Sequence, residues 1–250
     1  FKTTEIEELL DETPSFGSLA LKNLNWVSDF YIHSRGEVFF NFLPPKLRKD
    51  FYYEDPETRF NEYEINNADK RFKLTSYQKR ALKFLKKLNG FDPCIFHGVT
   101  NSGKTEVYMR LVEDALKKKN SCLVLVPEIS LTPQLERRFK NRFGDNIGTY
   151  HSKKTPKERY ETWKKAQSGE LRVVIGTRSS LFVPLQRLCL IIIDEEHDQS
   201  FKQQEGIKFS ARDVAIKMAQ DRKIPVIAAS ATPSLKMLHL VDKGKYKFIS

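Results

Sequence analysis

The sequence is poor in the features that staple, anchor or repeat a chain. Its 250 residues include three cysteines, Cys94, Cys122 and Cys189, with no CxxC spacing among them. That excludes a disulfide scaffold and a cysteine-built zinc site. The apolar neighbours of each thiol predict free cysteines, buried in a reducing compartment. No run approaches the roughly 20 apolar residues of a membrane span. The longest, Leu188 to Ile193, is the length of a strand. No signal-peptide pattern opens the chain, so a cytoplasmic protein with no membrane attachment is expected. There is no repeat at solenoid period and no low-complexity tract. The first residue is Phe1 rather than Met, and the chain reads as a fragment or trimmed piece of a longer protein.

What is present is ordinary globular material. Hydrophobic residues make up 40% and charged residues 30%, enough to build a core without staples. Lys and Arg number 43 against 32 Asp and Glu, a net charge of +11. Such a balance suits a polyanionic partner, nucleic acid first among them. Solvated basic faces would give the same count.

Along the chain, Thr4 to Leu10 predicts a short helix, and Leu21, Leu24, Val27, Phe30 and Tyr31 fall at helical spacing. Ile32 to Phe42 reads as either helix or strand, and Pro44-Pro45 breaks the pattern. Lys46 to Lys70, dense in charge and aromatics, reads as a linker or extended arm. From Thr75 strands and helices alternate. Helices are expected at 76–88, 103–118, 133–143, 156–168, 211–221 and 233–242. Strands are expected at 94–96, 121–126, 147–151, 173–177, 188–194 and 226–230. Apolar strands alternating with amphipathic helices predict an α/β fold whose mostly parallel sheet is covered on both faces.

Three motifs carry chemistry. Gly98-Val99-Thr100-Asn101-Ser102-Gly103-Lys104-Thr105 fits G-x-x-x-x-G-K-[ST] between a strand and a helix. Its glycines let backbone amides curl around phosphates and the helix N-terminus adds its dipole. Lys104 is expected to reach the β- and γ-phosphates, and the Thr105 hydroxyl to ligate Mg²⁺. Leu190 to Ile193 then deliver Asp194-Glu195-Glu196-His197 to the carboxyl edge of the sheet, where open α/β sheets bind ligands. Asp194 is expected to hold Mg²⁺ through water and Glu195 to orient the attacking water, because phosphoryl transfer depends on positioning. Ser230-Ala231-Thr232 follows another apolar strand. As a tripeptide it would serve equally as a helix cap.

In this order, the phosphate loop, the Asp-Glu-Glu-His box and Ser-Ala-Thr resemble the superfamily-two helicases of the DEAD/DEAH-like type, with their RecA-like first lobe. Leu74-Thr75 with Gln78 resembles their adenine-reading glutamine motif. Leu125 to Gln134 and Gly176 to Phe182 resemble their motifs Ia and Ib. The strings, including Ser230 to Leu235, are similar to those of the bacterial replication-restart helicases from about Phe72 onward. The resemblance implies that Gln78 contacts adenine and that Glu196, His197, Ser230 and Thr232 couple the nucleotide site to movement. It also implies that Thr132, Gln134, Thr177 and Arg178 line a single-strand path. Asp198 to Phe209 resembles an aromatic-rich loop in which Phe201, Lys202 and Phe209 would meet DNA; exposed aromatics beside basic residues would stack on bases. A surface loop with both Phe tucked into the core would read the same.

Leu21 to Tyr31, Gly36-Glu37-Val38 and Leu43-Pro44-Pro45 are similar to the end of that group's 3′-end-binding domain, although a packing helix would share the pattern. The expected division is therefore residues 1–45 from a DNA-binding domain, 46–71 a linker too short for the group's winged helix, and 72–250 the ATP-binding lobe. The paired CxxC zinc motifs of the group, its second motor lobe and the arginine finger are not in this sequence, so zinc is implied only for a full-length relative. By resemblance, the function is an ATP-dependent 3′→5′ DNA helicase of replication restart. Its cofactors would be ATP and Mg²⁺, and its partners forked and single-stranded DNA, single-strand-binding protein and primosome proteins. It would work as a monomer. A RecG-like or restriction-type translocase and a non-catalytic fork-binding scaffold are the alternatives.

Overall fold

The structure is a computed structural model that describes residues 14–48 and 72–250. Among the described residues two helices come first, α1 (Ser18–Tyr31) and α2 (Arg35–Phe42), then a 3₁₀ turn at Pro45–Arg48. After α3 (Ser76–Leu85) strands and helices alternate: β1 (Pro93–His97), α4 (Lys104–Lys117), β2 (Ser121–Leu125), α5 (Pro133–Phe143), β3 (Ile147–Tyr150), α6 (Pro156–Ser168), β4 (Val173–Gly176) and β5 (Leu188–Ile193). A short hairpin, β6 (Lys202–Gln203) with β7 (Phe209–Ser210), leads into α7 (Ala211–Arg222), β8 (Val226–Ser230), α8 (Leu235–Asp242) and β9 (Lys247–Ile249).

Seven strands form one sheet in the order β3-β4-β2-β5-β8-β1-β9, and every pairing is parallel. Parallel sheets must be covered on both faces, and the alternation of side chains along a strand shows that this one is. Leu123 and Leu125 of β2 and Ile191 and Ile193 of β5 enter one core with Trp163 of α6 and Val214 and Met218 of α7. Cys122 and Val124, with Leu190 and Ile192, enter the opposite core with Val107 and Val112 of α4 and Phe139 and Phe143 of α5. Cys94 and Cys122 are buried, Cys189 is half-buried, and all three are free.

The N-terminal helices belong to this packing. Leu24, Val27, Val38 and Phe42 share the core of the α6–α7 face, and Asn23 accepts a hydrogen bond from Arg222 at 2.9 Å. The segment that read as helix or strand is helical because Ser34 caps it, accepting from the Glu37 amide. The 76–88 helix ends early, at Leu85, and the 233–242 helix starts late, at Leu235. The predicted helix at Thr4 to Leu10 and most of the 46–70 arm lie outside the described residues. Among the described residues no helix is long and apolar enough to cross a membrane.

Helix caps set the entry of each helix into the sheet. Thr75 and Thr155 form reciprocal capping boxes with Gln78 and Glu158, and Thr132 accepts from the Leu135 amide. Helix α4, like α1 and α8, has no side-chain cap bond. Its cap, Gly103, supplies no side chain and leaves the first amides open. Its flank is tied by a buried ionic cluster instead. Arg142 of α5 donates to both oxygens of Glu106 at 2.9 and 2.8 Å and to Glu113 at 2.8 Å, while Arg110 and Arg138 add bonds to Glu106 at 2.9 and 3.2 Å. Burial by itself would raise the Glu106 carboxyl, but the Arg142 and Arg110 bonds outweigh it and hold the group below the usual glutamate value.

Removing one partner of a buried pair strands the other, at about 3–5 kcal/mol. Arg142→Ala is accordingly expected to destabilise the fold by about that amount in urea denaturation. The Glu106 contribution is present above the unfolded glutamate pKa and lost as pH falls through the lower folded one, so the wild-type advantage should shrink in acid.

Candidate functional site

Parallel strands send their carboxyl ends to one edge, and the motif residues gather there. Beyond β1 the Gly98 amide donates to Ser230 O at 3.1 Å; beyond β5 the Asp194 amide donates to Leu125 O at 2.8 Å and the Glu196 amide to Ala229 O at 3.0 Å. Beyond β2 the Val126 amide donates to Gly176 O at 2.9 Å. The ladder therefore continues past the strands and fixes the loops against one another.

In the 98–105 loop, Asn101 and Gly103 take positive φ values of 61° and 79°. A side chain at Gly103 would collide with the Gln78 amide, and one at Gly98 would lie 2.8 Å from Ser102 Oγ. Gln78 donates to Ser102 O at 2.9 Å, so helix α3 buttresses the loop. Lys104 is buried with its ammonium turned into the loop, donating to Gly98 O at 2.7 Å and lying 3.6 Å from Glu195 Oε1. Ser102 Oγ is buried without a hydrogen-bond partner. A cationic ammonium, open helix amides and an unspent hydroxyl make a cradle suited to an anion.

Beside it, Tyr108 Oη lies 3.0 Å from Thr105 Oγ1 and 2.8 Å from Asp194 Oδ2. The second Asp194 oxygen accepts from the Glu195 amide at 3.2 Å. Burial pushes the Asp194 carboxyl up to about 6 against the pull of the Tyr108 bond. A hydroxyl and one carboxylate suit Mg²⁺, which takes one or two protein carboxylates and fills its shell with phosphate and water oxygens. Glu195 sits at φ 46°, a left-handed backbone that costs a non-glycine residue about 1–3 kcal/mol. The turn aims its carboxylate between Lys104 and His197, 3.6 and 3.7 Å away. His197 Nδ1 lies 2.8 Å from Ser230 Oγ, which also accepts from the Thr232 amide at 3.0 Å. Glu196 is buried and accepts from the Ser234 amide at 2.6 Å and from Arg212 at 2.9 Å.

The family model of the DEAD/DEAH box helicases matches residues 75–241. The chain belongs to that family. Among curated relatives it is similar to replication restart protein PriA of Haemophilus influenzae, 45% identical over 193 residues, 77% of this chain and 26% of that protein. The PriA of Synechocystis is 49% identical over 178 residues, 71% of this chain and 21% of the relative. That of Rickettsia felis is 35% identical over 249 residues, covering 100% of this chain and 37% of the relative. The chain thus spans between a fifth and two fifths of the length of these relatives. Two solved structures share its fold. The UvsW helicase of bacteriophage T4 aligns with a TM-score of 0.52 at 18% identity, over 75% of this chain and 63% of that one. RecG bound to a three-way DNA junction aligns at 0.51 and 24% identity, over 71% and 23%.

In this DEAD/DEAH box helicase chain, the residues expected to meet DNA divide into two groups. Thr132 and Gln134 are exposed at the start of α5, Lys202 is exposed in the hairpin, and Arg178 is half-buried in the turn after β4. Arg178 is occupied, 3.3 Å from Glu128 and donating to Lys202 O at 3.2 Å. Thr177 is buried. The expectation that Phe201 and Phe209 form an exposed stacking surface is corrected. They are 2% and 4% exposed, and Phe209 packs on Phe42 with ring centroids 5.3 Å apart. Fully burying a Phe is worth about 1.5–3 kcal/mol, and α2 supplies a partner that the loop sequence does not reveal. Apart from Gly206, the exposed residues of the hairpin, Lys202, Gln204, Glu205 and Lys208, are polar.

Sequence reasoning missed Tyr108 and Arg212. Tyr108 sits three residues after Thr105, a spacing that puts the two on one face of a helix. Arg212 carries no local signal, since its partners are on β5 and α8 loops far along the chain. The turn after β3, with Ser152 and Lys153 exposed, also falls on this edge, where the Thr177 amide donates to Tyr150 O at 3.3 Å.

Gly103→Ala should lower the melting temperature by several degrees. A left-handed alanine costs about 1–2 kcal/mol before the Gln78 clash, and each kcal/mol shifts Tm by about 2–4 °C at this size. Gly36→Ala, with open space on the surface of α2, serves as the control and should leave Tm unchanged or slightly raised.

Proposed function

We propose that residues 72–250 are the ATP-binding lobe of an ATP-dependent DNA helicase that translocates 3′→5′ and acts in replication restart. The observation that carries this reading is the convergence of Lys104, Thr105, Asp194 and Glu195 at one point of the sheet edge, with His197 linking them to Ser230. Loop amides 100–105, Lys104 and Ser102 would hold the phosphates. Thr105 would ligate Mg²⁺ directly and Asp194 through water. Bound there, Mg²⁺ would neutralise charge on the β- and γ-phosphates. Lys104 would exchange Gly98 O for phosphate oxygens, releasing Glu195 to orient the attacking water. Gln78 is close enough to the loop to report on adenine while it braces Ser102. Movement of the β8 loop would pass through His197–Ser230–Thr232 and Glu196.

On the same reading, Thr132, Gln134, Arg178 and Lys202 would contribute a single-strand path at the sheet edge, with Thr177 buried beneath it, and a phosphate would compete with Glu128 for Arg178. Residues 1–45 would be the end of a 3′-end-binding domain and 46–71 its linker. Forked and single-stranded DNA, single-strand-binding protein and primosome proteins are the proposed partners of a monomeric cytoplasmic enzyme. Support comes from 35–49% identity to PriA proteins. Zinc would belong only to parts of a longer protein.

Superfamily-two motors close their ATP site between two lobes, so this chain alone should bind nucleotide and hydrolyse it slowly in a steady-state assay. In a full-length protein, Lys104→Ala should abolish ATP-dependent fork unwinding. Unwinding that persists in the variant would point to a scaffold that keeps its loop only for structure.

A further inference from the structure

Tyr108 is the least expected polar group near the sheet edge. It lies on α4, inside the core formed with α5, fully buried and stacked near Phe139 at a centroid distance of 6.5 Å. A buried phenol needs one partner for its proton and has an oxygen that can accept. Here the oxygen meets two groups from different elements, Thr105 Oγ1 at 3.0 Å and Asp194 Oδ2 at 2.8 Å. The pair is the hydroxyl and the carboxylate that would hold the cation.

One proton order satisfies every atom. Tyr108 donates to the Asp194 carboxylate, which can only accept when ionised, and accepts the proton of Thr105. The Thr105 oxygen then keeps lone pairs free for a cation. The Glu195 amide on Oδ1, at 3.2 Å, completes the fixing of the Asp194 group. Each Asp194 oxygen is thus held once by the protein and retains acceptor capacity toward bound water.

We propose that Tyr108 is a positioning residue for the divalent cation carried by the nucleotide, aligning Thr105 and Asp194 as one preformed half-shell. The proposal rests on the reading of this edge as a Mg²⁺–nucleotide site. Ligating groups are themselves held by hydrogen bonds, and loss of such outer partners costs about 10–100-fold in metal affinity or activity. The phosphates would be held by Lys104 and the open amides of α4 rather than by this oxygen.

The test is ADP binding to this chain by calorimetry, in EDTA and across a MgCl₂ titration, for wild type and Tyr108→Phe. The expected result is ADP affinity in EDTA within about twofold of wild type, with the Mg²⁺ concentration for half-maximal strengthening raised about 10–100-fold. An unchanged Mg²⁺ midpoint overturns the proposal. So does an equal loss of affinity with and without Mg²⁺, which a purely structural role would produce. If wild type binds ADP but Mg²⁺ does not strengthen it, or if ADP does not bind, the underlying reading fails and the proposal with it. Should the variant not fold, wild-type chain carrying 3-fluorotyrosine decides. The Tyr108 ¹⁹F resonance should move when MgCl₂ is added to the ADP complex, and a stationary resonance overturns the proposal.

Discussion

The parallel pairing of β1 with β8, and of β8 with β5, is the constraint from which the site follows. Register puts His97 opposite Ser230 and Ile193 opposite Ala228. β1 and β8 therefore release their loops at the same height, and β5 releases its acidic turn two residues earlier. The Gly98 amide bonds back to Ser230 O and the Glu196 amide to Ala229 O. Three sequence motifs spread over residues 98–232 become one surface because a parallel ladder leaves no other place for them. A slip of one residue would turn Ile191 and Ile193 out of their core and carry Asp194 away from Thr105.

That edge is costly to maintain, and the surroundings offset it. Lys104 is buried, Glu195 is held at positive φ and the Asp194 carboxyl is pushed up to about 6 by burial. The α4 terminus has no side-chain cap. Around these liabilities several charged and polar groups are tied to one another. The Glu106–Arg142–Glu113 cluster clamps α4 to α5, Gln78 braces the loop from α3, and Glu196 ties the acidic turn to Ser234 and Arg212. Strained or poorly solvated groups at one spot, held by a rigid frame, are the pattern expected of a site prepared for a ligand.

Much of this was legible in the sequence because the signals are local. Leu190 to Ile193 announces a buried strand by composition, and Gly98 to Thr105 announces its turn by spacing. What was not legible depends on contacts between distant segments. Nothing near Phe201 or Phe209 says that Phe42 awaits Phe209, so an exposed aromatic loop was the natural expectation. The two-residue strands β6 and β7 are too short for any periodicity, and β9 gains its place only by pairing with β1. Arg142 and Arg212 look like solvated surface charges until α5 and α7 are laid against Glu106 and Glu196. Residues 14–48 read as a separate segment by their position in the chain, yet α1 and α2 complete the core of one face.

The central claim is that the loop after β1 and the acidic turn after β5 form one Mg²⁺–nucleotide site. A crystal structure of this chain with Mg²⁺ and ADP tests it most directly. The account predicts the β-phosphate within hydrogen-bond distance of the amides of residues 101–105, with Lys104 turned from Gly98 O onto a phosphate oxygen. The cation should contact Thr105, with a water between it and Asp194. Nucleotide bound elsewhere, or bound at the loop with Lys104 still on the Gly98 carbonyl and no cation at Thr105, would contradict it.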